Sequence, residues 1–246
     1  VNRGDSVHLY GDFMKYKAIE RMVYVRENVV LVDENTRLTT DALDFNMESN
    51  TGYYLNHGYI VSDSNNLASI RGYYSSPTNT FLFKDSVVIH TPDYTIISDS
   101  MRYNKETQIT YFIGPTEAFN EENHMYCEGG SYNSVTKIFE ITKNGTLKNL
   151  QRILKGNYIF YDNVLGEGIA RENVEITDSL NNVILKGQYA EYYDEPQRSF
   201  ITDSAVMLQL VDLDTLYIHA DTLRSSTDSI GNRYFFAYYK VKMFKS

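Results

Sequence analysis

The side chains most able to do chemistry in this sequence are scattered along it. His8, His57, His90, His124 and His219 include no His-x-x-x-His pair and none flanked by glutamate, the arrangements that bring ligands together on one metal ion. Ser134-Val135-Thr136-Lys137 has the Ser-x-x-Lys spacing of serine acyl-enzymes, yet it stands in a strand-like stretch without the companion motifs. Gly166-Glu167-Gly168 begins like a dinucleotide loop, but Arg171 occupies the place of the third glycine and no helix follows. Asp212-Leu213-Asp214 alternates with Leu210 and Leu216, which suits an outward acidic strand edge better than a calcium loop. Cys127 is followed by Glu128 and has no basic neighbour to stabilise a thiolate. Asn144-Gly145-Thr146 is a glycosylation sequon by pattern, and its Asn-Gly pair reads better as a tight hairpin turn. Carboxylates abound, but no pair stands out for glycoside hydrolysis. These residues imply no catalytic group, no metal and no cofactor, so the expectation is a protein that is not an enzyme.

The composition says what must position these side chains. Of 246 residues 42% are apolar, with 22 Tyr, 12 Phe and no Trp. Tyrosine, valine, isoleucine and threonine suit a pleated, half-buried surface, so the chain leans towards strands. The formal charge of −9, from 23 basic and 32 acidic side chains, argues against a nucleic-acid partner, which needs a basic face. A lone cysteine excludes an internal disulfide framework. No stretch approaches the ~18 apolar residues of a membrane-spanning helix, and the first residues lack the charged-then-apolar order of a signal peptide. Ala237 to Phe244 still reads as strand, which predicts a boundary inside a longer protein.

Internal repetition organises the rest. A small or acidic residue followed by an alternating apolar stretch recurs at Asp12, Asp41, Gly72, Asp99, Glu128, Gly156, Gly187 and Asp221. A second phrase, acidic-Asn/Ser-Val-x-apolar, lies between many of these anchors: Glu27-Asn28-Val29, Asp85-Ser86-Val87, Glu172-Asn173-Val174 and, more loosely, Asp203-Ser204-Ala205. Each unit therefore holds two strands. Period-two alternation assigns faces. It predicts an inward set of Leu43, Phe45, Val87, Ile89, Met101, Tyr103, Tyr158, Phe160, Val174 and Ile176, and extends to Ile109, Tyr111 and Ile113 on a return strand. For positions 146–155 a short helix and a linker plus strand remain equal readings, and a break in the single domain over 1–246 is expected there. Two-strand units cannot bury their apolar faces alone and must stack. A parallel β-helix and two folded antiparallel sheets both fit the period.

The paired phrases resemble the repeats of the OstA/LptA superfamily along essentially the whole chain. That resemblance implies an all-β, elongated, V-shaped antiparallel β-jellyroll without substantial helix. It also implies a periplasmic protein of the Gram-negative envelope that shields the acyl chains of lipopolysaccharide in an apolar groove. The inward set would line that groove. Partners implied are lipopolysaccharide or a related lipid, other Lpt-type envelope proteins joined end to end by β-augmentation, and further copies of the chain. The alternative is a structural β-solenoid of the envelope that carries no lipid. The two separate on whether the interior is open or sealed.

Overall fold

The computed structural model describes residues 8–33, 36–62, 65–211 and 214–246. Among these, all regular structure is strand apart from one 3-10 turn at Ser76–Thr78. The chain forms two compact units, residues 1–120 and 121–246. The first holds β1 (His8–Tyr10), β2 (Phe13–Lys17), β3 (Met22–Asp33), β4 (Thr36–Asn46), β5 (Thr51–Tyr54), β6 (Gly58–Ser62), β7 (Asn65–Ser69), β8 (Arg71–Ser75), β9 (Thr80–His90), β10 (Thr95–Asn104) and β11 (Ile109–Phe119). The second holds β12 (His124–Asn133), β13 (Ile138–Lys143), β14 (Gly145–Lys148), β15 (Arg152–Gly156), β16 (Tyr158–Asp162), β17 (Glu167–Asp178), β18 (Val183–Tyr193), β19 (Arg198–Val211), β20 (Asp214–Thr227), β21 (Arg233–Tyr238) and β22 (Lys242–Lys245). Every pairing among them is antiparallel, the folded-sheet reading of the period.

The long strands β3, β9, β17 and β19 are each bent in the middle, and the second sequence phrase is the bend. Glu27 and Asn28 take φ of 60° and 51°, Asp85 and Ser86 62° and 55°, Glu172 and Asn173 59° and 57°, and Asp203 and Ser204 63° and 64°. Left-handed backbone costs an ordinary residue roughly 1–2 kcal/mol, and Asn and Asp tolerate it best. At each pair the register skips, for example between Arg26 and Val29 on β3 and between Arg171 and Val174 on β17. Two consecutive left-handed residues therefore make a bulge that turns the strand through a corner.

The corners divide each unit into two half-sheets. In the first unit, residues 13–17, 22–26, 42–46, 51–54, 71–75, 80–84, 100–104 and 109–113 pair in that order as half-sheet A. Residues 8–10, 29–33, 36–40, 58–62, 65–69, 87–90, 95–98 and 116–119 form half-sheet B. The second unit repeats the plan: β13 and β16 lie in A, and β14, β15 and β22 lie in B. Positions 145–148 and 152–156 are thus paired strands rather than helix. Asn144-Gly145 is a corner and not a hairpin, since β13 and β14 continue one another along β12.

The corner also corrects the repeat's phase. Opposite or bonded to the bent pairs stand residues 12, 41, 70, 99 and 157, and 128 stands opposite the corner at Asn144, each of the six 29 after the last. Asp12 N–H donates to Glu27 O at 3.0 Å, Ile70 N–H to Asp85 O at 3.1 Å and Asn157 N–H to Glu172 O at 2.9 Å. The anchors read at Gly72 and Gly156 therefore belong at Ile70 and Asn157.

The core lies along the corner line. Val25, Leu43, Tyr54, Phe83, Met101 and Phe112 of half-sheet A are buried, as are Val29 and Val87 of B. Because bends interrupt the ladder, small hydroxyls in the adjoining row take over its bonds: Thr40 Oγ1 donates to His57 O at 2.7 Å, and Ser98 Oγ lies 2.7 Å from Thr116 Oγ1. Tyr54 lies between Gly58 and Gly72, its hydroxyl 2.7 Å from Ser69 Oγ, and burial pushes its pKa up to about 12. A Cβ on Gly72 would stand 2.3 Å from that ring. Gly72→Val is expected to lower stability by about 1–3 kcal/mol through overpacking. The check is a lower denaturant midpoint at unchanged slope; an unchanged midpoint would refute the packing account.

Candidate functional site: the apolar slot

One row further from the corner, the inward side chains of the first unit are only half buried. Half-sheet A contributes Val23, Phe45, Tyr74, Phe81 and Tyr103 in register across neighbouring strands. Tyr74 and Phe81 stack at 4.5 Å between centroids, and Phe81 and Tyr103 at 6.4 Å. Half-sheet B contributes Leu31, Leu38, Ile60, Leu67, Ile89 and Ile96, again a continuous cross-strand row. The walls meet at the core of Val25, Val29 and Leu43, against which Val23 and Phe45 pack from A and Leu31 and Leu38 from B. The first unit thus holds a slot with one wall rich in rings and the other aliphatic. Neither row carries a formal charge, so the slot suits hydrocarbon.

The expected inward residues fall into three groups. Phe45, Ile89 and Tyr103 stand on the slot walls, and Ile176 stands half-buried in the matching row of the second unit. Leu43, Val87, Met101 and Val174 are buried at the corner line, where they fill the core instead of facing the slot. Tyr158 and Phe160 point the other way. The buried residue of β16 is Ile159, and Phe160 lies in register with Glu140 and Ile169, beyond which comes Glu191. Tyr158 donates to Glu140 Oε1 at 2.8 Å on that outer face. The return strand β11 shows the same correction: Phe112 is inward opposite Met101, while Tyr111 lies under Arg102 at 4.2 Å on the outside and Ile113 is exposed. Alternation within the second phrase, Val29-x-Leu31, already places Leu31 on this wall, whereas Leu38, Ile60, Leu67 and Ile96 lie outside the expected inward set, although Leu38-x-Thr40 carries the same signal.

In the matching row of the second unit Leu147, Leu154, Ile176 and Ile218 are half-buried as in the first, and the row is covered only at its centre. Leu185 and Met207 of the corresponding row are buried, and Val183 beyond them is 2% exposed. Beside Val183 lies a charged group. Asp178 accepts from Arg233 Nη1 at 2.5 Å and from Asn181 N and Nδ2 at 3.1 and 3.0 Å, with Arg152 Nε at 3.4 Å. Arg233 belongs to half-sheet A and Asp178 to B, so the pair ties the two half-sheets together. Burial opposes the charge on Asp178, but the hydrogen bonds from Asn181 and the two guanidiniums outweigh it and hold the carboxyl below its usual range.

The other reactive side chains are positioned for structure. Cys127 is buried at the corner line, and burial pushes its thiol to about 11 against a backbone hydrogen bond from Gly129. Asp214 pairs with Lys245 at 2.6 Å, whereas Asp212 and Leu213 lie outside the described residues. Lys137 occupies a turn with φ of 61°.

Bent antiparallel half-sheets with a hydrocarbon-lined slot define a class of repeat-built all-β protein. Residues 1–99 match the model of the OstA-like protein family. No curated protein matches the chain. Among solved structures the chain is similar to LptH from Pseudomonas aeruginosa, the LptA-homologous periplasmic component of its lipopolysaccharide transport device. That similarity has 14% identity and a TM-score of 0.40, over 43% of this chain and 80% of that one.

Proposed function

We propose that the protein holds the acyl chains of lipopolysaccharide, or of a similar lipid, in the slot of its first unit while the lipid crosses the periplasm to the outer membrane. The observation that carries this reading is the pair of uncharged rows, ring-rich and aliphatic, that face each other half-buried. An acyl chain in water costs roughly 0.8 kcal/mol per methylene, which a continuous apolar slot offsets along its length. The match of residues 1–99 to the OstA-like family supports the same assignment. Modules join end to end through strand edges: among the described residues β1 and β2 pair only with β3, and β21 and β22 only with β20. Leu185 and Met207, buried in the matching row of the second unit, favour the alternative, a structural envelope module without lipid, at that stretch alone.

Photocrosslinking in cells from Phe45, Leu38 and Ile89 tests the reading, with outward Phe160 as the control. Lipopolysaccharide adducts are expected from the first three and not from Phe160. Adducts from none of the slot positions, or equally from Phe160, would end it. With purified protein and a fluorescent acyl probe, Leu38→Glu and Phe45→Glu are each expected to weaken binding by about tenfold, since a charge in the slot opposes ~1.4 kcal/mol of apolar contact. Unchanged titrations would mean that the probe sits elsewhere.

A further inference from the structure

The interior of the second unit ends on two guanidiniums and one carboxylate. Arg152 and Asp178 face each other across the β15–β17 pair, and Arg233 reaches Asp178 from the opposite half-sheet. Asp178 is 4% exposed, while the side chains of Arg152 and Arg233 are 31% and 20% exposed, and the three together carry one net positive charge. The donors are incompletely met as well. Arg152 Nε is buried without a hydrogen bond, since it stands 3.4 Å from the carboxylate and out of line with it. Among the described residues Arg233 Nη2 has the long 3.4 Å contact to Ser225 Oγ alone. Two planar guanidiniums present more donors than one carboxylate can accept, and a phosphate monoester, with three terminal oxygens and up to two charges, matches them better. Leu154 and Ile176, opposite each other on the same inward face, lie one row deeper and lead from this group to the corner line.

We propose that Arg152 and Arg233 form a binding site for the phosphate headgroup of an amphiphile, with Asp178 occupying the site in its absence and the hydrocarbon chain running along Leu154 and Ile176. This rests on the reading that the protein carries an amphiphile, and it adds the headgroup chemistry recognised.

Isothermal titration of the full chain with dodecyl phosphate and with uncharged dodecyl maltoside, both as monomers, tests it. Arg152→Gln and Arg233→Gln are each expected to weaken dodecyl phosphate binding at least tenfold and to leave dodecyl maltoside unchanged. Asp178→Asn is expected to tighten dodecyl phosphate binding, and the phosphate compound should raise that variant's melting temperature more than the parent's. Arg152→Lys, which keeps the charge at a side chain 31% exposed, should retain most of the binding and separates loss of charge from loss of fold. Phosphate affinity indifferent to all these substitutions, or moving together with the maltoside affinity, overturns the site. Inorganic phosphate that binds with the same variant dependence identifies free phosphate as the ligand, and failure to compete assigns the site to a lipid headgroup. Loss of acyl crosslinks from Phe45 with the arginine dependence intact would remove the carrier reading and leave the anion site standing.

Discussion

Asp178→Ala is expected to destabilise the second unit by about 3–5 kcal/mol, the usual cost of removing one partner from a buried ion pair. The substitution leaves Arg152 and Arg233 near each other with like charges and removes the only link described between β17 and β21. Asn181, which donates twice to the same carboxylate, loses both acceptors. The thermal transition assigned to residues 121–246 should fall, while stability of the first unit stays within experimental error. An effect below 1 kcal/mol would show that water or rearranged side chains satisfy the arginines. The same carboxylate sets a pH dependence. Its folded pKa lies below the ordinary value, so its stabilising contribution is present above about pH 4. That contribution is lost as pH falls further, through the folded pKa. Asp178→Asn should flatten this acid limb of the melting curve, and an unchanged limb would place its origin in other carboxylates.

Met101→Ala is expected to cost the first unit about 2–5 kcal/mol, from lost transfer energy and an unfilled cavity at the corner line. Met101 is 1% exposed and stands in register between Phe83 and Phe112, both buried. The strand beside it, β9, turns its corner at Asp85 and Ser86, two consecutive left-handed residues. Little local collapse can therefore fill the gap. Urea unfolding monitored by tyrosine fluorescence gives the number. A cost under 1 kcal/mol would mean that the corner is loosely packed, and the slot above it would then lack a rigid floor.

Two stretches with the same local pattern face opposite ways. Counting from Asp41 and Asp99, the residues two and four positions on are Leu43, Phe45, Met101 and Tyr103, and all four point inward. Counting from Gly156 the same way gives Tyr158 and Phe160, which point outward. The residue equivalent to Asp41 is Asn157, whose N–H bonds to the bent pair of β17, and counting from it gives Ile159 and Tyr161. A shift of one residue exchanges the faces of a whole strand, and nothing local to Gly156-Asn157 reveals which of them sits at the corner. Likewise Tyr111 and Ile113 alternate as well as Thr110 and Phe112 do, and only the pairing with Met101 chooses between them.

By itself, the amino-acid order determined that the chain is built from strands, that they come in paired phrases about 29 residues apart, and that acidic-Asn/Ser pairs recur between them. Those are local properties: side-chain propensity, alternation, and tolerance of left-handed backbone. Tertiary pairing decided what they mean. The recurrent pair became a corner because its neighbours bond across it, and the corner placed two uncharged rows face to face. How the far ends of the half-sheets meet depended on residues far apart in sequence. In the first unit the rows end half-buried, whereas in the second Arg152, Asp178 and Arg233, up to 81 positions apart, meet and tie the half-sheets together. An ion pair of that kind leaves no period and no motif, because its members share only a place in the fold.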